Sequence, residues 1–270
     1  MNTFHNNKKP IGVFDSGLGG LTVVKALRKR LPNESVVYLG DTARVPYGNK
    51  SQKLIQEYSL QIADFLISKG AKMIVVACNT ASALAIEALK ESVSVPVVGV
   101  IESGVVAAMK STQNKHIGVI GTIATISSGT YRETLVRQDD HVVVASKECP
   151  LFVPLVEEGW LTGPATEMIV REYLDTMKKD SIDTLILGCT HYPLLKPIIQ
   201  KIMTDNVTLV DSAEAIAETT ADILSNNSLA VNLSTAGSLQ CYVTDLPARF
   251  EDVARRFLGE KIPRVQTVHL

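Results

Sequence analysis

Two short stretches constrain the fold of this chain more than any others: Leu185-Ile186-Leu187-Gly188-Cys189-Thr190-His191-Tyr192-Pro193 and Met73-Ile74-Val75-Val76-Ala77-Cys78-Asn79-Thr80-Ala81. Each is an apolar run of strand length that ends in a cysteine and leads through polar residues into a helix. Thr184 to Leu187 reads as a buried strand, and Pro193 suits the first turn of the helix that follows. Two thiols in matched strand-to-helix corners are what any function must explain.

The rest of the chain repeats the alternation. Ile11 to Phe14 is a strand running into Asp15-Ser16-Gly17-Leu18-Gly19-Gly20, and Leu21 to Leu31 has a helical pattern. Val36 to Leu39 is a second strand, ending at Gly40-Asp41, and a loop follows through Pro46-Tyr47-Gly48. Ser51 to Lys69 is an amphipathic helix with Leu54, Tyr58, Ile62, Phe65 and Leu66 on one stripe. The first cysteine corner is followed by a helix from Ala81 to Glu91 and an apolar strand from Val95 to Ile101. Strands alternating with helices throughout predict α/β architecture with mainly parallel sheets.

Near residue 116 the pattern restarts. His116-Ile117-Gly118-Val119-Ile120-Gly121-Thr122 repeats the strand-and-glycine opening at Ile11. Gly118 follows Gly12 by 106 residues (118 − 12) and Cys189 follows Cys78 by 111 (189 − 78). Two landmarks at nearly one offset predict two similar three-layer α/β lobes with the active site in the cleft between them. Residues 10–101 with 208–264 are assigned to a first lobe, on the Asp15 and Cys78 side. Residues 102–207 form a second, on the Cys189 and His191 side. The tail holds a strand at Thr208 to Val210, a helix to Leu224 and a last helix from Pro247 to Leu258, and is expected to complete the first lobe.

Composition removes several function classes. A 270-residue chain with 46% hydrophobic and 20% charged residues can build a substantial core. A formal net charge of −1 argues against a nucleic-acid partner. No apolar run approaches the roughly 18 residues that span a bilayer. Met1 to Lys9 is polar and lacks a signal-peptide core, so no membrane association and a cytoplasmic location are expected. There Cys78, Cys149, Cys189 and Cys241 would be reduced. The absence of Cys-x-x-Cys weakens zinc and dithiol-redox readings.

A cysteine at the carboxyl edge of a parallel sheet lies where α/β proteins bind ligands. The next helix points its N-terminal amides and dipole there, a setting expected to favour the thiolate. Asn79, Thr80 and Thr190 are natural caps or ligand donors at these helix starts. A single buried cysteine is most often just a small apolar group, but a matched pair is not so easily dismissed. If the lobes face each other, one thiol takes a proton from one face of a carbon and the other delivers to the opposite face. That chemistry is racemisation or epimerisation and needs neither metal nor pyridoxal phosphate. Asp15 to Gly20 is a poor dinucleotide loop, because Gly-x-Gly-x-x-Gly requires glycine where Thr22 stands. Its glycines are expected to permit a tight turn, leaving Asp15 and Ser16 to hold something cationic such as an ammonium group. His191 could pair with Cys189 or with substrate, or be a core histidine. Asp211 with Glu214 is the pattern of a helix start, and Glu157-Glu158-Gly159 alone is a helix-end charge cluster. Thiol acyl transfer through Cys189 and His191, or amino-acid binding without catalysis, remain rival classes.

These residues also resemble a known family. Phe14-Asp15-Ser16-Gly17-Leu18-Gly19-Gly20-Leu21-Thr22-Val23, Leu39-Gly40-Asp41-Thr42, Pro46-Tyr47-Gly48 and the two cysteine motifs are similar to those of bacterial glutamate racemases, within the aspartate/glutamate racemase family. The resemblance covers nearly the whole chain, from Pro10 to the last helix. It implies a cofactor-independent isomerase that interconverts L- and D-glutamate and supplies D-glutamate for peptidoglycan synthesis, cell-wall biogenesis and cell shape. It further implies that Cys78 and Cys189 are the catalytic acid/bases, supported by Asp15, Asp41, Glu157 and His191. Asp15, Ser16, Pro46, Tyr47, Gly48, Asn79, Thr80, Thr122, Thr190 and His191 would bind the substrate, and the enzyme would be a homodimer. Val45 stands where many members carry cysteine and is not expected to touch the chemistry. The long amino-terminal extension of members activated by a peptidoglycan precursor is not seen, so such activation is not expected. Aspartate and hydantoin racemases share the two-cysteine plan, but the Asp15 to Gly20 opening resembles the glutamate enzymes.

Overall fold

The fold is taken from a computed structural model, which describes residues 8–232, 234–246, 250–262 and 264–270, apart from the side chain of Phe250. Its interior strands are continuous apolar runs, as strands covered by helices on both faces must be. In chain order they are β1 (Ile11–Asp15), β2 (Val36–Gly40), β3 (Met73–Val76), β4 (Val97–Gly99), β5 (His116–Gly121), β6 (Val143–Glu148), β7 (Thr184–Gly188), β8 (Thr208–Asp211), β9 (Leu239–Val243) and β10 (Val265–Thr267). They form two all-parallel sheets, one in the order β10-β9-β2-β1-β3-β4 and one in the order β6-β5-β7-β8.

The helices are α1 (Leu21–Arg30), α2 (Gln52–Ser68), α3 (Asn79–Leu84), α4 (Ile86–Ser92), α5 (Val100–Ser111) and α6 (Ile123–Ser127). The remainder are α7 (Thr130–Gln138), α8 (Phe152–Glu157), α9 (Pro164–Leu174), α10 (Lys196–Met203), α11 (Ser212–Asn226) and α12 (Phe250–Leu258). None is long and apolar enough to cross a membrane.

The expected α/β architecture with two similar lobes is present. Strand order 2-1-3-4 in the first sheet recurs as 6-5-7-8 in the second, so β1 corresponds to β5 and β3, with Cys78 beyond its tip, to β7, with Cys189 beyond its tip. One expectation fails on the same logic. The strand at Thr208, assigned to the first lobe, is β8, and it pairs with β7 in the second sheet. Thr208 follows Val97 by 111 residues (208 − 97), so β8 is the second sheet's counterpart of β4. Only the later β9 and β10 return to the first sheet, beside β2.

Smaller departures have local causes. The strand expected over Val95 to Ile101 is cut short at Gly99, because Val100 already opens α5. The helix expected from Ala81 begins at Asn79 and is interrupted at Ala85. The buried stripe of α2 is Ile55, Ser59, Ile62, Ala63 and Leu66; Leu54, Tyr58 and Phe65 lie at its margin. The last helix runs over Phe250–Leu258, and its expected start at Pro247 lies outside the described residues.

One apolar cluster joins the lobes, running from Val13 and Val75 of the first sheet to Leu185 and Leu187 of the second. A buried ion pair fastens the segment after α11 to the first lobe. Lys72 Nζ lies 2.6 Å from Glu34 Oε2 and donates to the Leu229 carbonyl at 2.8 Å, while Glu34 Oε1 accepts the Val231 N–H at 2.7 Å. Removing one partner strands a buried charge, so Lys72→Met is expected to cost about 3–5 kcal/mol in urea unfolding. A loss below about 1 kcal/mol would show that the pair adds nothing over apolar packing.

Candidate active site

The first thiol sits where strand becomes helix. β3 ends at Val76, and Cys78 itself is the N-cap of α3, its sulfur accepting the Ala81 N–H at 3.5 Å. Asn79 and Thr80 therefore occupy the first turn of the helix and not the cap. Beside them, at the tip of β1, Asp15 is fully buried and accepts the Gly17 N–H at 3.0 Å. Tyr38, from β2, donates its hydroxyl to the Gly17 carbonyl at 2.7 Å and holds the loop from below.

The expected tight turn is present, with the Leu21 N–H donating to the Leu18 carbonyl at 3.1 Å, but none of Gly17, Gly19 and Gly20 adopts a left-handed backbone, so the turn itself does not require glycine. A Cβ at Gly19 would instead stand 2.2 Å from Thr190 Oγ1 and 2.7 Å from His191 Nδ1, and one at Gly20 would stand 2.5 Å from the Asp15 Cβ. Bare backbone is what allows the first lobe to close against the second corner. Gly19→Ala is expected to push Thr190 and His191 out of place, costing about 1–3 kcal/mol and most of the activity. Unchanged thermal stability and kcat would contradict that account.

The second corner differs from the first. Cys189 follows β7 and leads through Thr190 and His191 into a 3-10 turn, Tyr192–Leu195, before α10. The neighbour of its sulfur is His191 Nδ1, at 3.9 Å. His191 Nε2 lies 3.1 Å from Glu157 Oε1 at the end of α8. Among the described residues the chain Cys189–His191–Glu157 has no counterpart around Cys78.

Both thiols open into one cavity of about 290 Å³ between the lobes. From the first lobe it is lined by the expected Ser16, Pro46, Tyr47, Gly48, Asn79 and Thr80, and from the second by Thr122, Glu157, Thr190 and His191. Asp15 and Asp41, expected at the site, do not reach the cavity wall. Asp15 lies behind the loop, 3.5 Å from Thr190 Oγ1. Asp41 accepts hydrogen bonds from the Tyr47 hydroxyl, from Arg44 Nε at 2.7 Å and from Thr244 Oγ1 at 2.8 Å. It thereby fixes Tyr47, which does line the cavity. Val45, Val153 and Pro154 also contribute walls and were not anticipated, since no chemistry marks an aliphatic side chain in a sequence. A larger open groove of about 790 Å³ runs along α1 and α11 but holds neither thiol.

Hydroxyls and amides, not cations, dominate the polar lining, and no lysine or arginine reaches it among the described residues. Across the cleft Thr80 Oγ1 lies 3.1 Å from Thr122 Oγ1, and Tyr131 donates its hydroxyl to Asn79 Oδ1 at 2.6 Å. The four cysteines are free and buried. The one cluster of acidic and histidine side chains close enough to share an ion, among the described residues, is Asp139-Asp140-His141, away from the cleft.

Electrostatics separates the two thiols. Burial pushes the Cys78 thiol up to about 12, the nearby Asp15 carboxylate adds to the rise, and the Ala81 N–H opposes it. The expectation that a helix start would lower this thiol is not met: desolvation by burial outweighs the hydrogen bonds of Ala81 and Ser16. For His191 burial works against the charged form, yet its hydrogen bonds to Cys189 and Glu157 outweigh it and lift the imidazole from 6.5 to about 10. Asp15 is raised by burial, against the pull of His191 and the loop amides. The cleft thus holds a protonated thiol on one side and an imidazolium beside the thiol on the other.

Comparison with known proteins agrees with this geometry. The Asp/Glu/Hydantoin racemase family matches residues 21–220. A glutamate racemase of Geobacter metallireducens is 49% identical over 262 residues, 97% of each chain. A crystal structure of a glutamate racemase isoform from Bacillus anthracis superposes with a TM-score of 0.94 at 40% identity, covering 98% of both chains. That of Francisella tularensis glutamate racemase, in complex with D-glutamate, gives 0.91 at 40% identity over 97% of this chain and 98% of that one. With two matched lobes, a shared cleft and these relatives, the chain belongs to the Asp/Glu/Hydantoin racemase family.

Proposed function

We propose that the protein interconverts L- and D-glutamate by a two-base mechanism in which Cys78 and Cys189 act on opposite faces of the α-carbon. The observation that carries this reading is that one thiol from each of two corresponding strand tips lines the same cavity. In either direction one sulfur, as thiolate, takes the α-proton while the opposite thiol donates one, so the pair is returned with its roles exchanged. His191, charged through its contacts with Cys189 and Glu157, is suited to hold Cys189 as thiolate. Cys78, pushed up to about 12, is suited to the donor role in the resting enzyme. With no lysine or arginine in the wall among the described residues, the substrate carboxylates would be held by the hydroxyls and amides of Ser16, Asn79, Thr80, Thr122 and Thr190, and by the Tyr47-Gly48 turn.

Polarimetry tests the reading: the rotation of L-glutamate or D-glutamate should decay to zero with the protein alone, without added metal or pyridoxal phosphate. A stable rotation would overturn it. The Cys189–His191 contact would also suit acyl transfer, which predicts a thioester on Cys189 and leaves Cys78 without a role.

Around this activity we place the resemblance-based expectations of a cytoplasmic homodimer that supplies D-glutamate for peptidoglycan synthesis. A single-chain mass in sedimentation would contradict the dimer. Growth of a deletion strain without added D-glutamate would contradict the cellular role.

A further inference from the structure

We infer that helix α12, built into the first lobe between β9 and β10, positions the His191 side of the cleft in the second lobe: Arg256 fixes the end of α8 that carries Glu157, and Phe257 fixes the His191 ring. Neither residue lines the cavity, so both act through others.

Arg256 Nη1 donates to the Glu157 carbonyl at 2.7 Å and to that of Val156 at 3.4 Å, carbonyls of the last turn of α8. Gly159, with φ +79°, turns the chain away there, and a Cβ on it would stand 2.8 Å from the guanidinium carbon. Phe257 is buried and meets the His191 ring edge-on, with centroids 5.0 Å apart and planes at 79°. An edge-to-face contact restricts rotation of the ring about its own axis. The other restraints on that ring are Cys189 Sγ, Thr190 Oγ1 and Glu157 Oε1. α12 therefore touches both ends of the His191–Glu157 pair.

The Glu157 side chain is half exposed, so packing alone does not fix it; its backbone has to be held. The chain just past the C-terminal end of α12 is anchored in turn. Arg28 of α1 pairs with Glu260, and Lys25 Nζ sits where a Cβ of Gly259 would be 2.7 Å away. A helix secured on the first lobe is thus the brace for the proton-transfer partner of the second.

The inference rests on the two-base reading, and the test separates the two. Phe257→Leu keeps apolar bulk without the ring, Arg256→Met keeps the stem without the donors, and Arg256→Lys returns a donor. Each full-length variant is assayed in both directions with ordinary and α-deuterated L- and D-glutamate. Misplacing the ring by a fraction of an ångström should lower kcat about tenfold or more with KM changed much less. The primary isotope effect should change for one enantiomer and hold for the other, because only the Cys189 half is disturbed, and Arg256→Lys should recover part of the loss. Equal or unchanged isotope effects for both enantiomers, whether or not kcat falls with thermal stability, would overturn the brace. An unmodified protein that does not racemise glutamate would overturn the two-base reading and the brace together.

Discussion

Cys78→Ala and Cys189→Ala are each expected to abolish glutamate racemisation, by about a thousandfold or more, while leaving the fold in place. A positioned acid or base contributes about 10²–10⁴ in rate, and a two-base exchange uses both groups in every turnover. Loss of either thiol therefore stops both directions, not one. The fold should survive because each thiol is a small group at a cavity wall, and truncation takes one atom from a large apolar cluster: Cys189 from the one joining the sheets, Cys78 from the one under the first sheet. Circular dichroism and melting temperature close to those of the unmodified protein make the activity loss interpretable. Either variant retaining a tenth of the activity or more would remove that thiol from the proton path. Retention by Cys78→Ala in particular would favour thiol acyl chemistry at Cys189 and His191.

The second large effect is expected at His191. His191→Asn should lower kcat by about a hundredfold, because Cys189 loses its cationic neighbour. Glu157→Gln should cost less and move the alkaline limb of the pH–rate profile to lower pH, since it removes one of the two groups that raise the imidazole. The groups that bear on His191 are Cys189 and Glu157, with Asp15 behind Thr190; Arg256 faces the Glu157 carbonyl from α12. The sign also fixes a stability profile. The folded imidazole is raised from 6.5 to about 10, so its contribution is complete below pH 6.5 and lost as pH rises through about 10. Melting temperatures of His191→Asn and the unmodified protein should differ most on the acid side and converge toward pH 10. A gap that widens with pH would contradict the assignment.

What the sequence makes legible follows from what burial does to composition. β1, β2, β3 and β7 are buried at every position, so each is a bare apolar run that reads as a strand without ambiguity. β6 is an edge strand, Val143-Val144-Ala145-Ser146-Lys147-Glu148, half exposed and too polar to stand out. β8 was legible as a strand but not in its partner: pairing across a sheet is a tertiary choice, and only the repeat offset hints at it. The thiols and their polar neighbours were legible because strand-tip cysteines are chemically conspicuous. Burial was not. Asp15 reads as a residue at the mouth of the site, and packing of Gly20 over its side chain and of Gly19 against the second corner puts it behind the wall. The Cys78 thiol reads as activated by a helix start, and desolvation reverses the sign. Arg256 and Phe257 carry no local motif; they matter through contacts with residues 66 (257 − 191) to 100 (256 − 156) positions earlier.

The central claim, that two thiols serve opposite faces of one carbon, is tested most directly by proton NMR of L-glutamate racemising in deuterated water. Early in the reaction, the D-glutamate formed should carry deuterium at the α-carbon while the remaining L-glutamate keeps its hydrogen, because the donor on the far face has equilibrated with solvent. D-glutamate that retains the substrate's α-hydrogen, or L-glutamate that exchanges as fast as product appears, would contradict it.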